Sequence, residues 1–589
     1  MILSPGEKDQ LTTSTPSPRF DLPAPSGNPL VASSPVVVTK TKNTVEVLWN
    51  QGPAARQQFS PESVFEHLSE LAKRDALRFP GSARAHANLG SALAKADRLD
   101  EAAEELEFAL SIEPNEYLAG VELARVYVRK ENYDRARQLF DELLKYYPNS
   151  ESILLSRAYL ALRDNDFTGA EGFLRRILRV RKGAAFPHFL LGITKLQSGN
   201  PHAAIAALRE ATRLNVRRAE YHHALGVAYE VAGESHRAER EFRTALALSP
   251  EVEATVHALS IVLLKQGQPD NALEVLRPFV ESHPSDANGR DLLAKAYYDV
   301  RKYSHARAQL QTRLEIAGGE MSDEERARVL TNIAATLLQD GKGGPAETAL
   351  NRAIELAPNW SSIPYENLAH VWVQSEQWDK AVHTLEHAKG LFPAQQSLRR
   401  FLAGVYARLD RYDEAIAELT PLYELGIAEP ETSSALGTFY EWTGDYDSAI
   451  RLQTEAYDRS PKEPAIINNL AYTYLMAGNV EAARGVLESM PKSAEPHVEL
   501  VATQGLLRLW AGDRAQGKLL YERAEQMASK AGNRNLARRV RQKKYLELAK
   551  DSLRRGDLAA ARLEIARGLS IRPDSNSFRV KLEDLLRKL

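Results

Sequence analysis

The chain has 589 residues, 43% of them hydrophobic and 26% charged, with a formal net charge of −2 and a pI near 6.7. That balance gives an ordinary globular composition and supplies no global field to draw in nucleic acid or an anionic membrane. Cysteine is absent, which excludes disulfides and thiolate metal centres.

The first residues, Met1 to Lys8, lack the apolar core of a secretory signal. No run of eighteen apolar residues occurs, so no membrane span is expected and the cytoplasm is the expected compartment. Residues 1–57 form one Pro/Ser-rich segment. Its first 35 residues have little to bury and are expected to be disordered. Residues 36–49 are more apolar, with Val36, Val37, Val38, Val45, Val47, Leu48 and Trp49. They read either as a linker or as an extended strip docked on the rest of the chain. Residues 58–82 follow as an N-terminal capping element, a helix over 61–79 with Val64, Leu68 and Leu71 on one face, stopped by Pro80.

From Ala83 a pattern recurs every 34 residues. Units start near Ala83, Tyr117, Glu151, Ala185, Ala219, Glu253 and Ala287, filling residues 83–316. A Gly-containing insert, 317–326, carries Gly318 and Gly319 and is a candidate hinge. The register resumes near Ala327, Ser362, Gln396, Pro430, Pro464 and Val498 over 327–531, and a last unit near Gln542 lies with a C-terminal cap in 532–589. Numbered from its start, each unit has a small residue at position 8, such as Gly90, Ala124 and Gly226, and Ala at position 20 in thirteen of the fourteen units. Two helices approach closely where side chains are small. Glycine at position 15 (Gly199, Gly233, Gly267, Gly341, Gly444, Gly478, Gly512, Gly556) suits a left-handed helix end. A proline such as Pro114, Pro148 or Pro250 stops the second helix. A fixed period of this length is the mark of an all-α solenoid of antiparallel helix pairs.

These residues resemble the tetratricopeptide repeat. The resemblance implies a right-handed superhelix whose first helices line a concave surface with positions 2, 5, 9, 12 and 13. Two specialisations of that family do not carry over. Position 5 is never the Lys of a carboxylate clamp, and Asn88, Asn332, Asn367 and Asn469 do not make a continuous position-6 ladder.

No catalytic set stands out, so no enzyme, cofactor or metal is expected. His383-Thr384-Leu385-Glu386-His387 has the H-x-x-E-H spacing of zinc peptidases, but Leu385 and Ala388 take the core positions and turn the string to the surface. Asp340-Gly341-Lys342-Gly343-Gly344 falls where an interhelical turn belongs. The basic runs Arg175–Lys182 and Arg538–Lys544 have no aromatic ladder beside them, which argues against nucleic acid as the partner.

Under the implied register, Arg125, Arg129, Tyr159, Arg163, Phe186, Phe189 and Ile193 form an apolar strip edged by arginine in the early units. His223, His257 and Tyr298 in the middle units, and Arg400, Trp442, Asn468 and Tyr472 later, give a mixed polar lining. The expected function is a non-catalytic scaffold or adaptor that binds peptides or helices of partner proteins. Two alternatives are a regulatory or substrate-recruiting subunit of an enzyme complex and a helical array that binds single-stranded RNA.

Overall fold

The computed structural model describes residues 61–317, 321–489, 497–571 and 577–589. The segment 1–57, its stretch 36–49 and the Gly318–Gly319 pair lie outside the described residues. Among the described residues there are thirty α-helices and no strand. By contact the chain separates into two units, one ending at Lys302 and the other beginning at Tyr303.

The first unit opens with α1 (Pro61–Arg78), α2 (Ala83–Lys95) and α3 (Leu99–Ile112), and continues in pairs to Ala287–Asp299. The second runs from Tyr303–Ala317 to Ser577–Arg587. Each helix pair is held where the sequence is smallest. A Cβ on Gly90 would stand 2.4 Å from Leu106 Cγ, and one on Gly192 would stand 2.3 Å from Leu208 Cγ. Position 8 thus receives the large side chain of position 24. The position-20 alanines close the same seam. From Ala102 through Ala136, Ala272 and Ala449 to Ala561, all thirteen have 0% exposure.

Position 15 is left-handed in every unit. The eight glycines there have φ between 69° and 87°, and Asp97, Glu131, Asn165, Arg301, Glu376 and Asp410 take φ of 57–68° in the other six. The backbone geometry belongs to the unit, and glycine is only its easiest tenant.

Several boundaries differ from the sequence reading. The helix Asp323–Gln339 starts inside the stretch read as an insert, four residues before Ala327, because Ser322 and Glu325 form a capping box. The helix Arg534–Arg554 begins eight residues ahead of Gln542. In α1 the faces are exchanged. Ser69 and Ala76 are buried, with Ala72 packed against the same core cluster as α2 and α3, while Leu68 and Leu71 stay exposed.

Candidate partner-binding face

On the early first helices the three arginines are held by neighbours. Arg125 is exposed and donates to Glu122 Oε1 at 2.7 Å and to Ser152 Oγ at 3.0 Å, which ties two consecutive units. Arg129 donates to the Ala94 carbonyl and to Asp97, covering the C-terminal end of α2. Arg163 lies 3.3 Å from the Tyr133 ring centroid. Between them Tyr159 and Phe186 are half-buried, as are Leu155 and Leu162.

Phe189 and Ile193 are buried, against the expectation that they line an open strip. The reason lies one unit on. Phe189 stacks on Tyr221 with centroids 4.8 Å apart, while Phe186 reaches Phe189 from the outside at 6.1 Å. The aromatic row therefore runs from solvent into the stack, and only its outer member stays accessible.

The middle residues act as joints between units. His223 is buried, faces Thr255 Oγ1 across 3.0 Å and tilts against Phe242. Burial pushes its pKa down to about 4, so it is neutral at pH 7. His257 Nε2 lies 2.8 Å from Asp286 Oδ2, while its Nδ1 faces Glu253 at 3.9 Å. Asp286 also caps the next helix by accepting from the Gly289 amide at 3.0 Å. Glu253, His257 and Asp286 each bring a ligand atom within 4.8 Å of the others. The imidazole turns opposite nitrogens to its two carboxylates, so the trio latches neighbouring units rather than converging on one point. Tyr298 is half-buried, with the Lys295 ammonium 5.8 Å from its ring centroid.

In the second unit Arg400 is half-buried and pairs with Glu429. Trp442, Asn468 and Tyr472 are buried, which corrects their reading as lining residues. Trp442 packs between Tyr412 and Phe439 at 5.1 and 5.8 Å. Asn468 Oδ1 accepts from Thr503 Oγ1 at 2.8 Å, and the Tyr472 hydroxyl accepts from Lys543 Nζ at 3.2 Å.

These contacts belong to a set of buried polar groups in the second unit that the sequence reading missed. Glu366 accepts from Ser362 and Ser397, at 2.8 and 3.0 Å. Gln453 Oε1 accepts from Ser434 at 2.7 Å, and its amide donates to the Ser434 carbonyl at 2.9 Å and to Thr438 Oγ1 at 3.1 Å. Glu441 accepts from Thr473 at 2.7 Å, and burial pushes its pKa up to about 7. The available signal was Gln453 itself, which stands at position 24 where Leu106, Phe140 and Leu208 stand in other units.

The remaining motifs resolve locally. His383, Glu386 and His387 are exposed, and Glu386 accepts from the Tyr406 hydroxyl. Gly341 turns the chain between Asp323–Gln339 and Gly343–Leu356. In the first basic run, Arg175 pairs with Glu171 at 2.7 Å, Arg176 donates to the Pro148 carbonyl at 2.6 Å, and Arg181 pairs with Glu151. In the second, Arg539, Lys543 and Lys544 are buried and offer no face to phosphate. Among the described residues no helix is long and apolar enough to cross a membrane.

Two tetratricopeptide-repeat family models match the chain, one at residues 93–158 and 443–504, the other at 66–116 and 189–253. No curated protein matches it by sequence. Among solved structures it is similar to a chain of the APC/C hetero-tetramer Cut9-Hcn1, at 16% identity over 90% of this chain and 96% of that one, with a TM-score of 0.40. It is also similar to a tetratricopeptide repeat protein from Parabacteroides merdae, at 15% identity over 43% and 98% of the two chains, TM-score 0.35. A third is MamA from Desulfovibrio magneticus, at 24% identity over 30% and 97%, TM-score 0.28.

Proposed function

For a chain that belongs to the tetratricopeptide-repeat family, we propose a non-catalytic scaffold that holds a partner protein on the first helices of its early units. The observation that carries this reading is the strip formed by Leu155, Tyr159, Leu162 and Phe186. These four large side chains stay half-exposed on adjacent first helices, beside the exposed Arg125, Arg129 and Arg163. Apolar surface kept wet between fixed cations suits an apolar peptide or helix that carries acidic residues. Arg125 and Arg163 supply orientation, and Tyr159 and Phe186 supply the anchors.

The test is capture from native lysate by the full chain. Tyr159→Ala with Phe186→Ala should cut recovery of the bound partner about tenfold while helix content and melting stay at wild-type values. Phe189→Ala is the wrong probe, because that ring is part of the stack. Undiminished recovery with both substitutions would remove the strip from the reading. Copurification of a catalytic chain would place the scaffold within an enzyme assembly.

A further inference from the structure

We propose that α1 is the second helix of an incomplete unit, and that residues 45–49 of this same chain cover the face a first helix would otherwise occupy. The 34-residue period, carried back one step from α3, sets Leu68 at the place of Ala102 and Pro80 at the place of Pro114. The thirteen alanines at that place have 0% exposure, whereas Leu68 is 45% and Leu71 is 44% exposed. Leu68, Leu71 and Asp75 follow the spacing of one helix face. Glu66 and Glu70 lie elsewhere, toward Arg98 at the start of α3, whose pKa is raised chiefly by its hydrogen bond to Glu101 and to a smaller extent by these two carboxylates. The open side of α1 is therefore the seam side.

The residues just ahead of α1 are ill-suited to fill that seam as a helix. Carried back by the same period, Arg56 falls at position 8, where all fourteen units have Gly, Ala or Ser, and Pro53 falls at position 5, inside what would be the first helix. The apolar residues lie slightly further upstream, at Val45, Val47, Leu48 and Trp49. Eleven residues separate Trp49 from Pro61, a reach of up to about 36 Å. The eighteen residues of α1 span about 27 Å, so the segment can lie along the whole face. Its tether also holds it there at an effective concentration in the mM range, which a second copy of the chain does not reach in dilute solution. Repeat arrays need a sealed end to stay soluble, and this segment supplies one.

Because the chain has no cysteine, paired thiols report the docking in the full-length protein. Asn50→Cys with Asp75→Cys probes the proposed face, and Asn50→Cys with Glu70→Cys probes another face of the same helix at a similar tether length. The first pair should close an intramolecular disulfide at least tenfold faster, and replacing Val47, Leu48 and Trp49 with Asp should erase the difference. Equal rates for the two pairs would overturn the proposal, since a free tether samples both faces. A disulfide-linked dimer through Asp75→Cys alone would also overturn it, by assigning the face to a second copy.

Discussion

Glu131 carries a long side chain at φ 58°, in the left-handed region where eight other units have glycine. A side chain with a Cβ is strained there by about 1–2 kcal/mol. The residue is exposed, so nothing else changes with it. Glu131→Gly should stabilise the first unit by about 1 kcal/mol after glycine's own entropy is counted, read as a higher urea midpoint with an unchanged slope. The seam glycines behave oppositely. Gly192→Ala drives a methyl into Leu208 and should cost about 1–3 kcal/mol. Gly404 is helical with nothing within 4 Å of its missing Cβ, so Gly404→Ala should be neutral or stabilising by about 0.5 kcal/mol. Parallel denaturant titrations separate the two. These positions were legible in the sequence because their constraint is local and repeats with the period. The accessibility of Phe189 or His223 was not, because it is set by Tyr221 and Thr255, residues of the next unit whose identity follows no period.

At the scale of the element, the second unit places polar side chains inside its seams, where the early units have apolar ones at position 24. Gln453 fills the position-24 seam and satisfies Ser434 and Thr438. Gln453→Leu should lose about 1–3 kcal/mol, because buried donors and acceptors are stranded. The triple change Ser434→Ala, Thr438→Val and Gln453→Leu should recover part of that loss, since both sides of the two side-chain bonds then vanish while the Ser434 carbonyl and the Asn469 amide that donates to Ser434 Oγ remain. A triple variant no more stable than the single one would show that the seam fails through shape instead. Helix limits were legible to within a few residues where proline or glycine marks them. Ser322 and Glu325 already spell a capping box in the sequence, so the early start of that helix was open to the same reading. The face of α1 was not, because an amphipathic stripe gives no indication of which side meets a neighbour.

Over the whole molecule the two units should respond differently to acid. His223, in the first, has a pKa lowered to about 4, so the unfolded chain binds its proton first as pH falls below about 6.5. That stability is present above the unfolded value and is lost down to the folded one, about 3 kcal/mol in all. Glu171 and Asp286, held below the usual carboxylate range by Lys195 and His257 against the opposing effect of burial, lose their contribution lower still and in the same direction. In the second unit His370 is likewise lowered to about 4, but Glu441 is raised to about 7. A raised acid favours the folded state at low pH and loses that contribution as pH climbs from about 4.5 to about 7, so it opposes His370 through the same window. Hydrogen-exchange protection at pH 7 and pH 5 should fall in Ala219–Val231 and hold in Pro430–Thr443. Equal losses in both segments would show that the pairing does not act.

The fixed 34-residue spacing of the units also makes the block a natural cut for excision or duplication. Removing residues 219–252 would bring Arg218 directly before Glu253, and the chain would still enter the next helix from the same kind of turn. What would not survive is the match across the new joint, where Phe189 would meet Thr255 in place of Tyr221. Such a splice keeps its geometry and forfeits its fit, so a transplanted block must bring its upstream neighbour with it.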